Sequence, residues 1–250
     1  MKALTSPLRL MSVIFTALLL FSSYSRAFAA DKDVYHLMDN VMKQFASVQD
    51  YTCKLDKMIA IKGRPLQDRA IFVKYKKPAQ YYFRWDTGLK KGREVIFASG
   101  KYDDKIIAHP GGVFKFMTLR LDPRGHLALK ENPHSLQNSG LEKIIRLIQL
   151  DVQRAQKNNP HTVQLIDEAY MDGRKVWVVQ GQFPQNEGYY ARKVILFIDK
   201  TLCLPIKVSI YNWSDKLVEE YIFRNLRINV GLADTDFRLD NPDYHFNGIE

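Results

Sequence analysis

Apolar and polar residues alternate along most of the chain, and this alternation predicts strands because strand side chains point in turn to opposite faces of a sheet. About eleven strands are predicted, joined mainly by short turns. They are Tyr51–Ile61, Asp68–Lys76, Tyr81–Trp85, Arg93–Ala98, Lys105–His109, Val113–Leu121, Thr162–Tyr170, Lys175–Phe183, Tyr190–Ile198, Leu204–Tyr211 and Leu217–Ile228. Short connections of this kind favour antiparallel pairing in a meander.

Two segments have the three- and four-residue periodicity of amphipathic helices. The first begins at Val34 and ends near Ser47, with Asp31 or Asp33 as its candidate cap. The second covers Leu141–Lys157 and follows a capping-box spacing at Ser139. Its apolar stripe consists of Leu141, Ile144, Ile145, Ile148 and Val152. A helix inserted between two sets of strands suits a cover for one sheet face, so the predicted fold class is α+β.

One stretch, Lys74–Trp85, concentrates aromatic residues beside a proline. Alternation places Tyr81, Phe83 and Trp85 on one face of a strand, with Tyr82 on the other. Three such rings offer roughly 150–250 Å² of surface each, which something must cover. The cover is either a helix of the same chain or a ligand or partner.

The chain is rich in aromatic residues, with 13 Tyr and 14 Phe. Most single aromatic positions are explained by packing in a core. As a set they exceed what two amphipathic helices are expected to cover, which favours an apolar pocket between sheet and helix. The predicted ligand-binding residues are Tyr81, Phe83, Trp85, Phe97, Leu141, Ile144, Ile145 and Ile148.

The N-terminus has the features of a cleaved signal peptide over residues 1–29. Lys2 and Arg9 precede a largely apolar run from Leu10 to Phe21, and Ala27–Ala29 is a small-x-small cleavage site. The remaining residues, 30–250, suit one domain. Removing three basic residues from a net charge of +10 leaves +7, which is spread along the chain. Such charge suits an anionic membrane surface or an acidic partner, and no nucleic-acid-binding motif is present.

The sequence carries no recognisable catalytic or metal-binding constellation. No two of the six histidines have metal-ligand helical spacing, and neither a nucleophile elbow nor a phosphate-binding glycine loop occurs. The presence of Glu94 is explained equally well by an ion pair and by a role in acid–base chemistry. We therefore predict no catalytic residue, no metal site and no cofactor, and do not favour an enzyme.

The two cysteines, Cys53 and Cys203, have opposite alternation phases. Cys53 shares the apolar face of its strand, whereas Cys203 lies opposite the apolar residues of its own. An exported chain meets an oxidising compartment. The phase difference nevertheless argues against a disulfide between them, and the sequence leaves the pairing open.

Several short motifs resemble a known superfamily. Asp50-Tyr51-Thr52-Cys53, Gly92-Arg93-Glu94-Val95 and the segment from Pro78 to Trp85 stand in the same order there, as do Leu204-Pro205 and Asn229 before Phe237. The chain resembles the LolA/LolB-type periplasmic carriers of bacterial lipoproteins. It resembles more closely an uncharacterised exported family within that superfamily. The match spans nearly all of residues 30–250.

This resemblance implies an incomplete antiparallel β-barrel of about eleven strands whose hollow is closed by a helical lid and binds acyl chains. In the lipoprotein carrier an arginine directly before the proline latches the lid. Here that position is Lys77. Its ammonium is a point charge, whereas the guanidinium of arginine is planar and holds its donors in a fixed geometry. Phe83 matches the aromatic residue at the barrel mouth. The implied partners are a lipid or acylated protein, an inner-membrane donor and an outer-membrane acceptor.

The first functional hypothesis is therefore a soluble, monomeric periplasmic carrier of lipid or lipidated protein that performs no covalent chemistry. The alternative is an envelope structural or regulatory module that binds a protein partner through the same half-barrel. An enzyme built on this fold is the third hypothesis, because a fold does not determine a function.

Overall fold

The strands form a single antiparallel sheet. The structure is a computed structural model that describes residues 34–114, 116–129, 140–185 and 187–246. The strands in these residues are β1 (Asp50–Ile61), β2 (Arg64–Lys76), β3 (Gln80–Trp85), β4 (Glu94–Ala98), β5 (Ile106–His109), β6 (Leu119–Leu121), β7 (Val163–Met171), β8 (Arg174–Gln182), β9 (Lys193–Asp199), β10 (Leu204–Tyr211) and β11 (Leu217–Ile228). Their order is β6-β5-β4-β3-β2-β1-β11-β10-β9-β8-β7, with β6 and β7 at the edges. The predicted open, incomplete barrel of antiparallel strands is confirmed.

Three α-helices occur in the described part of the chain. They are α1 (residues 34–47), α2 (His126–Leu129) and α3 (Gly140–Asn158). Helices α1 and α3 confirm the two long helices that periodicity predicts. Their candidate caps, Asp31, Asp33 and Ser139, lie outside the described residues, and so does the predicted signal peptide.

Two meanders meet at the centre of the sheet, where β1 pairs with β11. The first meander comprises β1–β6 and the second β7–β11, and α3 connects them in the sequence. The apolar stripe of α3 and the buried residues of α1 belong to one hydrophobic cluster with side chains from both meanders. We call the sheet face in this cluster the inner face.

The outer face of the first meander is covered by the C-terminal segment, residues 232–246. Phe237 and Phe246 form a second buried cluster with Tyr82, Ile96 and Ile107. Tyr82 also stacks on Tyr244, with ring centroids 4.0 Å apart. Tyr82 therefore points away from Tyr81 and Phe83, as alternation predicts.

One predicted strand is largely wrong. In place of the predicted strand Val113–Leu121, the structure has a short 3₁₀ helix at Gly112–Phe114 and a three-residue strand at Leu119–Leu121. Val113 and Phe116 are exposed, so their apolar character does not reflect a buried strand face. The preceding turn packs tightly, because a Cβ at Gly111 would lie 2.6 Å from the carbonyl carbon of Gly92.

A second strand begins later than predicted. Alternation favours Tyr190–Ile198, whereas β9 begins at Lys193. The Tyr190 hydroxyl donates to Glu219 on β11, which holds this segment against the inner face instead of in the ladder. The segment between Phe183 and Lys193 is thus a loop that packs on α3.

Both cysteines are free thiols in the structure, which agrees with their opposite phases. Cys53 is buried in the inner cluster, and burial raises the pKa of both thiols. We expect a thiol reagent to modify the less buried Cys203 first in the native protein, and Cys53 only after unfolding, because the thiolate is the reactive form. Mass spectrometry after alkylation under non-reducing conditions measures this order. A denatured monomer with no alkylated thiol would contradict it.

Candidate functional site

The predicted ligand-binding residues all lie in the inner cluster, and all are buried. Tyr81 and Phe83 stack with ring centroids 6.1 Å apart, and Phe83 lies 6.4 Å from the centroid of Trp85. Phe83 is only 4% exposed and Trp85 8%. The structure therefore places these three rings inside a closed core beneath the helices, and whether they contact a ligand stays a prediction.

An apolar cavity lies between the helices and the second meander. The helices line it with Met38, Ile144, Leu147, Ile148 and Val152, and the sheet lines it with Val163, Val179, Val194, Leu196, Val208 and Ile210. Of the predicted ligand-binding residues, only Ile144 and Ile148 contribute to this lining. The candidate site is thus displaced along the sheet from the aromatic strand β3 to strands β7–β10.

Side-chain size explains why the cavity lies in this half of the sheet. Under the first meander the space is filled by the rings of Tyr75, Tyr81, Phe83, Trp85 and Phe97. In the second meander four of the lining residues are valines, and the ring of Phe183 lies over Gly181 at the edge of this lining. The valines are visible in the sequence, but that they face one cavity follows only from the pairing of β7–β10.

The cavity is narrow in this conformation. Its volume is about 30 Å³, whereas ligand pockets typically measure roughly 300–1,000 Å³. A chain-like ligand would need the walls to move apart. Which wall can move depends on how each is attached to the sheet.

The first turn of α3 is attached to β1 by hydrogen bonds. The Tyr51 hydroxyl accepts from the backbone N–H of Leu141 at 3.2 Å and donates to Glu142 Oε2 at 3.3 Å. Gly140 permits this approach, because a Cβ there would lie 2.6 Å from the Tyr51 oxygen. Burial raises the pKa of Glu142 to about 8, and hydrogen bonds from Tyr51 and Tyr75 offset part of that effect.

The next residue of α3 forms a buried ion pair with β11. Lys143 Nζ lies 2.9 Å from Glu219 Oε2, and both side chains are less than a tenth exposed. Tyr221 donates to the same carboxylate oxygen at 2.6 Å, and Tyr190 donates to the other. Burial lowers the pKa of Lys143, and Glu219 opposes that shift.

These contacts limit how the helical lid that the resemblance implies can move. The aliphatic stripe of α3 alone would allow the helix to slide without breaking polar bonds. In the structure Glu142 and Lys143 attach the first turn of α3 to β1 and β11. Lifting this end of the helix would therefore separate a buried ion pair as well as expose apolar side chains.

The second half of α3 instead contacts the loop between β8 and β9. The Asp151 carboxylate accepts from the backbone N–H of Tyr190, and its Oδ1 lies 3.6 Å from Arg154. Arg154 donates to the carbonyl of Gly188, and its guanidinium lies 5.2 Å from the ring centroid of Tyr189. These polar contacts join this half of α3 to a loop, whereas those of the first turn join it to the sheet.

Lys77, the candidate lid latch, contacts α1. Its Nζ donates to the carbonyl of Ala46 at 2.8 Å and lies 5.7 Å from the ring centroid of Phe45. The positive charge of Lys77 also lowers the pKa of Glu142. The residue therefore connects the turn after β2 with the end of α1 and lies near the anchored end of α3. Its role as a latch remains a prediction.

Glu94 has a structural role, because its carboxylate contacts His245. It is fully buried, and its Oε1 lies 2.5 Å from His245 Nδ1 while Oε2 accepts from the backbone N–H of His245 at 3.2 Å. The contact fixes the end of the C-terminal segment on the outer face. Glu94 is thus remote from the cavity on the inner face.

The described residues contain no group of three or more His, Cys, Asp or Glu that is placed to hold a metal ion. Within the same part of the chain, none of the helices is long and apolar enough to cross a membrane.

Comparison with known proteins gives a family match of undetermined function. The family described as "Protein of unknown function (DUF1571)" matches residues 48–246. No curated protein matches the chain.

Similar solved structures include the lipoprotein LppX of Mycobacterium tuberculosis, with 9% identity and a TM-score of 0.47 over 82% of this chain and 99% of that one. A LolA superfamily protein of Nitrosomonas europaea has 11% identity and a TM-score of 0.35, covering 82% and 96%. MucB of Pseudomonas aeruginosa in complex with MucA has 12% identity and a TM-score of 0.43, covering 82% and 60%. The LolA superfamily is the one that the sequence resembles.

Proposed function

We propose that this chain, which belongs to the DUF1571 family, is a periplasmic carrier that binds the acyl chains of a lipid or lipidated protein in the cavity between α3 and strands β7–β10. The observation that carries the proposal is the cavity's lining, which consists mainly of aliphatic side chains on both the helical and the sheet side. Such a lining stabilises an acyl chain by roughly 0.8 kcal/mol for each buried CH₂ group. Binding and release require no covalent step, so the carrier needs no catalytic residue.

Uptake must widen the cavity, and the contacts of each wall favour one route. The first turn of α3 is fixed by Glu142 and Lys143. The second half of α3 rests on the β8–β9 loop, and α1 presents mainly apolar side chains to the cluster. We infer that the walls separate at the second half of α3 while its first turn stays attached. The helical lid that the resemblance implies is then hinged at the first turn of α3.

A pair of substitutions in neighbouring residues tests the cavity. Val194 and Ile195 are adjacent in β9 and both half-buried, but only Val194 lines the cavity. We expect Val194→Phe to weaken binding of a fluorescent long-chain alcohol at least tenfold, since the larger ring occupies the cavity, whereas Ile195→Phe binds as the wild type does. Fluorescence titration measures both, with urea unfolding as the check that each variant folds.

A third variant distinguishes this cavity from the aromatic strand. Phe83→Leu shortens a ring of the originally predicted site without adding a buried charge, and Phe83 does not line the cavity. Unchanged affinity in this variant supports the cavity, and a loss equal to that of Val194→Phe moves the site to β3. If none of the proteins, wild type included, binds the long-chain alcohol, the carrier proposal is wrong.

The alternative, a module that binds a protein partner, is favoured by one further observation. Leu89, Val113, Phe114 and Phe116 are exposed large apolar side chains on the β3–β4 and β5–β6 connections, which touch at Gly92 and Gly111. Exposed apolar patches often mark interaction sites. Native mass spectrometry of protein purified from its own cells separates the two hypotheses. A co-purifying lipid supports the carrier, and a lipid-free stoichiometric complex with another protein supports the module.

A further inference from the structure

The apolar cavity has one acidic side chain in its wall. Asp151 follows Ile148 by three residues on α3, so both lie on the helix face that meets the cavity. It is 7% exposed and is the only carboxylate among the described residues that line this cavity. A buried carboxylate is unfavourable unless hydrogen bonds compensate for its lost hydration.

The partners of Asp151 compensate only in part. The backbone N–H of Tyr190 donates to it, and the distance of 3.6 Å to Arg154 is long for an ion pair. Arg154 is also shared with the Gly188 carbonyl and the Tyr189 ring. A carboxylate has about four acceptor positions, so Asp151 retains acceptor capacity. Burial raises the pKa of Asp151 to about 6, which agrees with incomplete compensation.

We propose that Asp151 selects the head group of the ligand, accepting a hydrogen bond from a donor without negative charge, such as a primary amine or a hydroxyl at the end of an apolar chain. This inference rests on the proposed function, because it assumes that the apolar chain of the ligand occupies the cavity. A carboxylate or phosphate head would be repelled by Asp151 in a site of low polarity, where charge interactions are poorly screened. The cavity thus discriminates between ligands by the charge of the head group, in addition to burying their apolar chain.

Three probes of equal chain length test the selectivity: dodecylamine, dodecanol and dodecanoate. In the wild type we expect the amine and the alcohol to bind at least tenfold more tightly than dodecanoate, measured by isothermal titration calorimetry. Asp151→Asn should abolish the preference for amine over dodecanoate, because it removes the charge. Asparagine keeps an acceptor for the Tyr190 N–H, so the loop contact is retained. Asp167→Asn, an exposed position on β7, is the matched control and should keep the wild-type order.

The outcomes separate this inference from the proposed function. Equal affinities for the three probes in the wild type, tightest binding of dodecanoate, or an unchanged order in Asp151→Asn would each overturn the role of Asp151 and leave the carrier in place. Failure of all three probes to bind would overturn the carrier and this inference together. The order in the wild type needs no variant, so the test is valid even if Asp151→Asn does not fold.

Discussion

Replacing Glu219 with alanine should lower the free energy of unfolding by about 3–5 kcal/mol, because it leaves the Lys143 ammonium buried without its counter-charge. Both side chains are less than a tenth exposed, and Tyr190 and Tyr221 lose the acceptor of their hydroxyls at the same time. Urea denaturation followed by circular dichroism measures the change. The attachment of α3 to β11 makes this the largest single loss that we expect.

Two further variants separate the buried charge from the helix contact. Lys143→Met combined with Glu219→Leu removes both charges, and we expect its stability to return to within about 1–2 kcal/mol of the wild type. Glu220→Ala is the matched control, since this neighbouring residue pairs with Lys207 at 2.9 Å where both side chains are about a quarter exposed. Its loss should stay below about 1 kcal/mol. A loss of that small size in Glu219→Ala would show that the helix is not held by the ion pair.

Strand positions were predictable because alternation reports directly which side chains face the core. β10 and β11 have the bounds that the sequence predicts, and β1 differs by one residue. The misses have physical causes. Val113 and Phe116 are exposed on a connection, and before Lys193 the rings of Tyr189 and Tyr190 contact Arg154 and Lys143 of α3 instead of continuing the strand. Periodicity shows which side chains face the core, but not which helix, strand or loop they contact.

The position of the cavity was not predictable by the same argument. Its location depends on which inner-face positions carry small side chains, and this is known only once the pairing of β7–β10 is known. The anchoring of α3 was missed for a related reason. Glu142 and Lys143 read as ordinary polar helix residues until Tyr51 and Glu219, both distant in sequence, are placed beneath them. Asp151 likewise looks like an ordinary polar helix residue until the β8–β9 loop and the cavity are placed beside it.

The second prediction concerns Glu142 and the pH dependence of stability. Its pKa is about 8 in the folded protein against an ordinary value of 4.5. Between these values the folded state retains a proton that the unfolded state has lost, so the free energy of unfolding falls as pH rises through this range. Each pH unit within the range contributes at most about 1.4 kcal/mol. Above about pH 8 both states are ionised and this contribution becomes constant.

Glu142→Gln removes the titrating group and keeps an oxygen that accepts from Tyr51. We expect the free energy of unfolding of the wild type to fall by about 2–3 kcal/mol relative to that of the variant between about pH 5 and pH 7.5. Taking the difference cancels the titration of Asp151 and of every other group that both proteins share. Urea unfolding across this pH range measures it. Glu168→Gln, on the exposed part of β7, should not reproduce this shift, because the hydrogen bond from Lys200 lowers the pKa of Glu168 instead of raising it. A difference that is constant with pH would show that Glu142 is ionised in the folded protein, and α3 would then carry a buried negative charge at its first turn.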